Sequence, residues 1–231
     1  MTGPPEPPAW LAAVLAALAE GDVRAGPGDA APNTTADWRR RVDVELDRLA
    51  GRVPFRVVYD WPARVLASTP GGDAGRVVGD LLRRALAGDR AGADEWRGAL
   101  RPALRELYRA AYPYADARAV AYANAHAYAT ANGYGPDDVV EFAGHYADLS
   151  TGANAEAFAD ANAIANADAL AGALAAADER AYAETFPAAL ARAYALAAAN
   201  RADPVGAPEA VRAAYGRLAE ALAESLHDVS D

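Results

Sequence analysis

Residues 114–132 read YADARAVAYANAHAYATAN, with alanine at every second position. The alternation returns at residues 153–175, which read ANAEAFADANAIANADALAGALA. A period of two is typical of β-strands, but alanine is the strongest helix former and is rare in strands. The only β-branched residues in the two runs are Val120, Thr130 and Ile164. We therefore predict two alanine-rich α-helices.

The residues between the alanines form two stripes on each predicted helix. Two residues turn about 200° around a helix axis, so the stripes lie on roughly opposite sides with alanine grooves between them. Such grooves let a second helix approach closely. The pattern predicts an all-α fold, a single helical bundle with two long alanine-rich helices at its centre. It also predicts a homodimer, because alanine-rich surfaces favour close helix pairing.

The remaining sequence predicts one α-helical domain over residues 9–227. A disordered N-terminus at residues 1–8 would precede it, because this segment is rich in proline. Apolar residues at helical spacing predict covering helices within residues 9–92 and a last helix over residues 208–227. The alanine-rich central helices would occupy residues 94–200.

Two local features interrupt this regular pattern. Phe55, Val57 and Tyr59 occupy alternate positions, which predicts a short extended segment near residues 53–60. Pro187 should break the second alanine-rich helix, because proline lacks the amide hydrogen that an interior helical residue donates.

Composition excludes several classes of protein. All 22 basic residues are arginine, which excludes Schiff-base and P-loop chemistry because both need a lysine amine. No cysteine is present, so there are no disulfides and no thiolate chemistry. The net charge of −10 argues against a nucleic-acid partner. No apolar stretch is long enough to cross a bilayer and no targeting signal is recognised, so we expect no membrane partner and a cytoplasmic location.

The charge is unevenly distributed along the chain. No basic residue lies between Arg118 and Arg180, whereas nine acidic residues do. This span would attract a cationic small molecule, a basic peptide or a divalent metal. A solvated acidic face is the alternative and the more common situation. The absence of lysine and glutamine is typical of high-GC codon usage and indicates a bacterial source.

One stripe of the first alanine-rich helix could carry acid–base chemistry. His126 would act as a general base, Tyr122 as a proton donor and Arg118 as a clamp for an anion. The alternative is a histidine that is hydrogen-bonded within a packed polar layer.

A metal site is a second hypothesis. Glu141, His145 and Asp148 have the i, i+4 and i+7 spacing of one helix face, and carboxylate with imidazole suits a divalent ion. The spacing matches neither HExxH nor the ExxH of di-iron bundles, and an ordinary surface helix produces the same residues. No cofactor is predicted apart from this divalent metal.

Polar residues on the two helices are candidates for binding a ligand. They are Asn124, Tyr128, Asn162, Asn166 and Asp160. The acidic ladder of Glu156, Asp160 and Asp168 would need counter-charges if it were buried. Internal ion pairing is expected, and the candidate partners are Arg105, Arg109, Arg180 and Arg192.

Three hypotheses for function follow. The first is a helical binding or scaffold protein that self-associates and carries a polar seam of Tyr, Asn, His and acidic residues for a polar or cationic ligand. The alternative is an enzyme or tailoring factor that acts on a small molecule or peptide in bacterial specialised metabolism, with acid–base catalysis by His126 or His145. The third is a divalent-metal protein.

Overall fold

The computed structural model describes residues 6–24, 34–68, 72–203 and 208–229, and these contain ten α-helices and no strand. In chain order the helices are α1 (Ala9–Arg24), α2 (Thr34–Arg48), α3 (Arg56–Ser68), α4 (Asp73–Leu86), α5 (Ala93–Ala111), α6 (Tyr114–Ala131), α7 (Pro136–Ala176), α8 (Glu179–Ala183), α9 (Pro187–Ala202) and α10 (Pro208–His227). The all-α, single-bundle architecture is confirmed. No helix in these ranges combines the length and the hydrophobicity that a membrane span requires. Most of the disordered N-terminus predicted from the sequence lies outside the described residues.

Helix α9 lies at the centre of the bundle, where it packs against α1, α5 and α10. The alanines at its odd positions from Ala191 to Ala199 are all buried, and the residues between them are half-buried. The same core contains Trp10, Trp96 and Leu222, one from each of the three neighbouring helices and none more than 1% exposed. The core therefore combines small contacts along α9 with large side chains from the helices around it.

Helix α7 has 41 residues and is about 60 Å long at 1.5 Å per residue. Buried side chains recur at every fourth position: Val139, Ala143, Ala147, Thr151, Ala155, Ala159, Ala163, Ala167 and Ala171. Helices α5 and α6 both run antiparallel to α7. Helix α6 packs along the first half of α7, and α5 packs along the second half. A break at Tyr112 and Pro113 separates α5 from α6. One long helix is therefore the partner of two shorter ones.

Arginines on α5 and α6 form ion pairs with acidic residues on α7. The pairs are Arg97–Asp168, Arg105–Asp160, Arg105–Glu156, Arg109–Glu156 and Arg118–Asp148. The internal pairing expected for Glu156, Asp160 and Asp168 is confirmed, with Arg105 and Arg109 among the partners. These pairs fix the register of α7 against its two neighbours.

The other two arginines considered from the sequence do not join this ladder. Arg180 pairs with Glu184, one turn further along the chain. Arg192 pairs with Glu20 on α1. Both arginines lie outside the contact between α5 and α7, so each pairs with an acidic residue near its own helix.

The extended segment predicted near residues 53–60 is wrong, because α3 begins at Arg56. Val57, Trp61 and Val65 are buried at the spacing of one helix face. The short alternation resembled a strand, but a helix buries these side chains together, whereas a lone strand would have had nothing to pair with.

The break expected at Pro187 is confirmed, since this residue begins α9. The chain already leaves α7 ten residues earlier, where Ala177 adopts a left-handed conformation with φ 51°. Phe186, with φ 55°, directly precedes Pro187. Two left-handed residues around the short α8 therefore redirect the chain from α7 into the core helix α9.

Helix α6 lies at the edge of the bundle rather than at its centre. It packs against α7 and buries only Ala125 and Ala129. No residue between 112 and 158 belongs to the hydrophobic core cluster. We call residues 114–149, which comprise α6, the following turn and the first part of α7, the arm. The arm is a helical hairpin that extends from the body of the protein.

Candidate functional site

The turn of the arm is built from glycine and proline. Gly133 has φ +77°, a conformation that favours glycine. The amide of Tyr134 donates to the carbonyl of Ala129, and the amide of Gly133 donates to that of Thr130, which closes α6 as a Schellman motif. Pro136 then begins α7. These residues turn the chain back on itself and set α6 against α7.

Small residues form the contact inside the arm. Ala125 and Ala129 on α6 are at most 4% exposed, and Ala143 and Ala147 on α7 are fully buried. Each alanine buries little apolar area, so this contact contributes only modestly to stability. Apart from Val139, which is 5% exposed, the larger apolar side chains of the arm lie outside the contact.

One side of the arm carries a group of aromatic and apolar residues. Phe142 contacts the rings of Tyr128, Tyr134 and Tyr146 at centroid distances of 6.1, 5.6 and 6.1 Å. Leu149 continues the stripe of Phe142 and Tyr146 at i, i+4 and i+7 on α7. We call these five residues the aromatic face. None of them carries a charge at neutral pH.

The aromatic face is open to solvent. Leu149 is 61% exposed, Tyr128 58%, Tyr146 49% and Tyr134 45%, and Phe142 is half-buried beneath its neighbours. Soluble monomers rarely expose contiguous apolar patches without a function. The face is therefore the strongest candidate in the arm for an interaction surface.

The opposite side of the arm carries titratable residues. Arg118 Nε lies 2.5 Å from Asp148 Oδ1, and the rings of Tyr122 and His126 are 5.9 Å apart. At about 100° per residue, His145 falls between Asp148 and Leu149 around the axis of α7. The structure thus joins the acid–base set to the metal set through the ion pair between Arg118 and Asp148, which the sequence did not predict because the two residues belong to different helices.

The electrostatics of this side are those of an exposed ion pair. The hydrogen bond from Arg118 lowers the pKa of the Asp148 carboxyl below its usual value. His126 and His145 are both exposed. Catalysis by His126, Tyr122 and Arg118 stays a prediction, since Arg118 is already engaged by Asp148.

The metal hypothesis gains no geometric support. Within the described ranges, no three His, Asp or Glu side chains converge closely enough to hold a metal ion. Glu141, His145 and Asp148 share a helix face, but Asp148 turns to Arg118. A metal at these residues also stays a prediction.

The other polar residues proposed as ligand contacts have different surroundings. Asn162 Nδ2 donates to the carbonyl of Phe158, and Asn166 Nδ2 donates both to the carbonyl of Asn162 and to the hydroxyl of Tyr108. Asp160 is paired with Arg105. These three residues are engaged within the protein, and Asn124 and Tyr128 are exposed on the arm.

A cavity that the sequence did not indicate lies in the body of the bundle. Residues from α3, α4, α5, α9 and α10 line it, and it encloses about 60 Å³. Tyr194, Arg201, Arg217 and Glu106 are its charged or phenolic residues. Five helices contribute to it, so no single stretch of sequence carries its signal.

Comparisons with protein-family models, with curated proteins and with solved structures found no match. Function is therefore proposed from the geometry of the chain's own residues.

Proposed function

We propose that this protein is a helical scaffold that self-associates through the aromatic face of the arm, so that two copies pair their arms. The observation that carries the proposal is the exposure of Tyr128, Tyr134, Tyr146 and Leu149 around Phe142. Aromatic residues are enriched at the centres of protein interfaces and supply much of their binding energy. A cytoplasmic location, as expected from the sequence, is part of the proposal.

The charge pattern favours a second copy as the partner. The chain carries a net charge of −10, which opposes association between copies. The aromatic face contains no ionised side chain, and the Arg118–Asp148 pair lies on the other side of the arm. Two copies can therefore meet at this face without placing like charges opposite each other.

The internal packing of the arm also favours pairing. A two-helix hairpin held by alanine contacts buries little area, and short helices with little tertiary packing are marginal in water. Two arms related by a two-fold axis would form a four-helix bundle, with the aromatic face of each in its core. Pairing would bury the large side chains that the hairpin alone leaves outside.

The mass in solution tests this proposal. Sedimentation velocity of the full chain should give a dimer, twice the 24.0 kDa of one chain. Leu149→Glu places a charge in the aromatic face and should shift the protein to a monomer, while circular dichroism remains that of a folded helical protein.

Val140→Glu is the matched control, since it adds the same side chain at an apolar residue of the same helix that is 55% exposed and lies about 180° around the helix axis from Leu149. It should remain a dimer. A wild-type protein that stays monomeric at the highest concentration measured would falsify the proposal. Equal loss of the dimer in both variants would also contradict it, because the aromatic face would then not be the contact.

A further inference from the structure

The cavity in the body has mostly apolar walls. Its apolar lining includes Val65, Leu66, Val78, Leu100, Leu104 and Leu218. At about 60 Å³ it has room for roughly four water molecules or a short alkyl chain, given that one water needs about 10–15 Å³. A site of this shape suits a small group with an apolar chain.

Two arginines that are exposed to solvent line this cavity, without counter-ions among the described residues. Arg201 on α9 and Arg217 on α10 both line it, and neither forms an ion pair with another described residue. Most other described arginines form an ion pair, as Arg105 and Arg118 do, although Arg101 does not. Two unpaired guanidiniums beside an apolar cavity are complementary to an anion, because arginine binds carboxylates with parallel hydrogen bonds.

Tyr194 supplies a neutral donor at the same place. Tyr194 lines the cavity, and its hydroxyl makes no hydrogen bond to another described residue. Burial raises the pKa of Tyr194 to about 12, so the phenol keeps its proton at neutral pH. A protonated phenol can donate to an anion held by the two arginines.

The one carboxylate among the lining residues belongs to Glu106, which lies beside the backbone of Gly72. Its Oε2 would lie 2.7 Å from a β-carbon at Gly72, so glycine allows this approach without a shift of the glutamate side chain. Gly72 directly precedes α4, and the N-terminus of a helix favours a negative charge. Among the described residues no ion pair joins Glu106 to Arg201 or Arg217, so both arginines stay open to a ligand.

From this arrangement we infer that the cavity binds a short aliphatic carboxylate. The alkyl chain occupies the apolar interior, Arg201 and Arg217 bind the carboxylate, and the Tyr194 hydroxyl donates to it. No residue of the arm lines the cavity. The inference is therefore independent of self-association, and each can fail without the other.

Calorimetric titration of the full chain with hexanoate tests the inference. Hexanoate should bind, whereas acetate lacks the chain and 1-hexanol lacks the charge, so both should bind at least about tenfold more weakly. Arg201→Gln and Arg217→Gln should each weaken hexanoate binding by about tenfold or more, as expected for a charge-assisted hydrogen bond.

Arg101→Gln is the matched control, because Arg101 is exposed, has no ion-pair partner among the described residues and does not line the cavity. It should bind hexanoate like the wild type. Ala198→Leu fills the cavity while keeping both arginines and should abolish binding while the helical circular dichroism is kept. The inference is overturned if hexanoate does not bind at millimolar concentration, if 1-hexanol binds equally well, or if neither arginine variant weakens binding.

Discussion

Helices α6 and α9 share an alternation of alanine but have opposite environments. In α9 every odd position from Ala191 to Ala199 is buried and the positions between are half-buried. In α6 only Ala125 and Ala129 are buried. The alternation makes both helices narrow. Whether a narrow helix becomes a core helix is decided by its neighbours and by the residues between its alanines.

Those intervening residues differ in how much they gain from burial. In α9 they include Tyr194 and Leu196, which bring large apolar surface to the core. In α6 they include Asn124, His126 and Thr130, whose polar groups are costly to remove from water without partners. Three helices surround α9, whereas α6 packs against α7. The same backbone pattern is thus used once for a core and once for an extended hairpin.

A buried charge gives the largest expected contrast between the two helices. Ala197 in α9 is 0% exposed, so Ala197→Asp should lower the free energy of unfolding by about 4 kcal/mol or more, since the carboxylate would be buried without a partner. Ala123 in α6 is exposed, so Ala123→Asp should cost only about 0.7 kcal/mol of helix propensity. Urea denaturation of both variants measures the difference. Equal costs would contradict the environments assigned to the two helices.

The sequence predicted the helices better than their positions. Alanine content predicted helix for residues 114–132 and 153–175, and the i, i+4 acids on α7 predicted ion pairs with arginine. The sequence did not distinguish a central helix from a projecting one, because α6 and α9 have the same small residues at the same spacing. That choice depends on contacts with α1 and α5, which are distant in the chain, and with α10, which follows α9.

The ion-pair ladder offers a smaller contrast, now along α5. Arg105 pairs with Glu156 and Asp160, whereas Arg101, one turn earlier, has no such partner among the described residues. Arg105→Met should lower the free energy of unfolding by about 1 kcal/mol, because exposed pairs contribute about 0.2–1 kcal/mol each. Arg101→Met should have almost no effect. Chemical denaturation at low and high salt is the measurement, and a loss at Arg105 that salt does not reduce would argue against an electrostatic origin.

The smallest expected effect concerns the arm at acidic pH. Because the folded-state pKa of Asp148 is lowered by Arg118, its pairing stabilises the protein above the unfolded pKa of about 3.9 and is lost as the pH falls through the folded value. The stability of Asp148→Asn should therefore approach that of the wild type below about pH 4. Denaturation of both proteins from neutral to acidic pH measures this. A constant difference across the range would show that the pair does not act through ionisation.

The candidate sites differ in how far they could be predicted. The five residues of the aromatic face lie in one hairpin of the sequence, yet only the structure shows that Tyr128 and Phe142 come together across two helices. The cavity was beyond sequence reasoning, because Arg201 and Arg217 belong to different helices and line a space also shaped by α3, α4 and α5. The spacing of residues in the sequence predicts which side chains share one face of a helix. A cavity between several helices can be predicted only when the positions of those helices are known.

The fourfold spacing of buried side chains on α7 explains why two helices, rather than one, accompany it. Four residues turn about 400°, so each successive side chain is displaced by about 40°, and the line from Val139 to Ala171 winds right-handed through most of a revolution. A single straight helix could not remain in contact with such a winding line of side chains. The break at Tyr112 and Pro113 lets the chain change direction once, so that α6 contacts the first part of this line and α5 contacts the second.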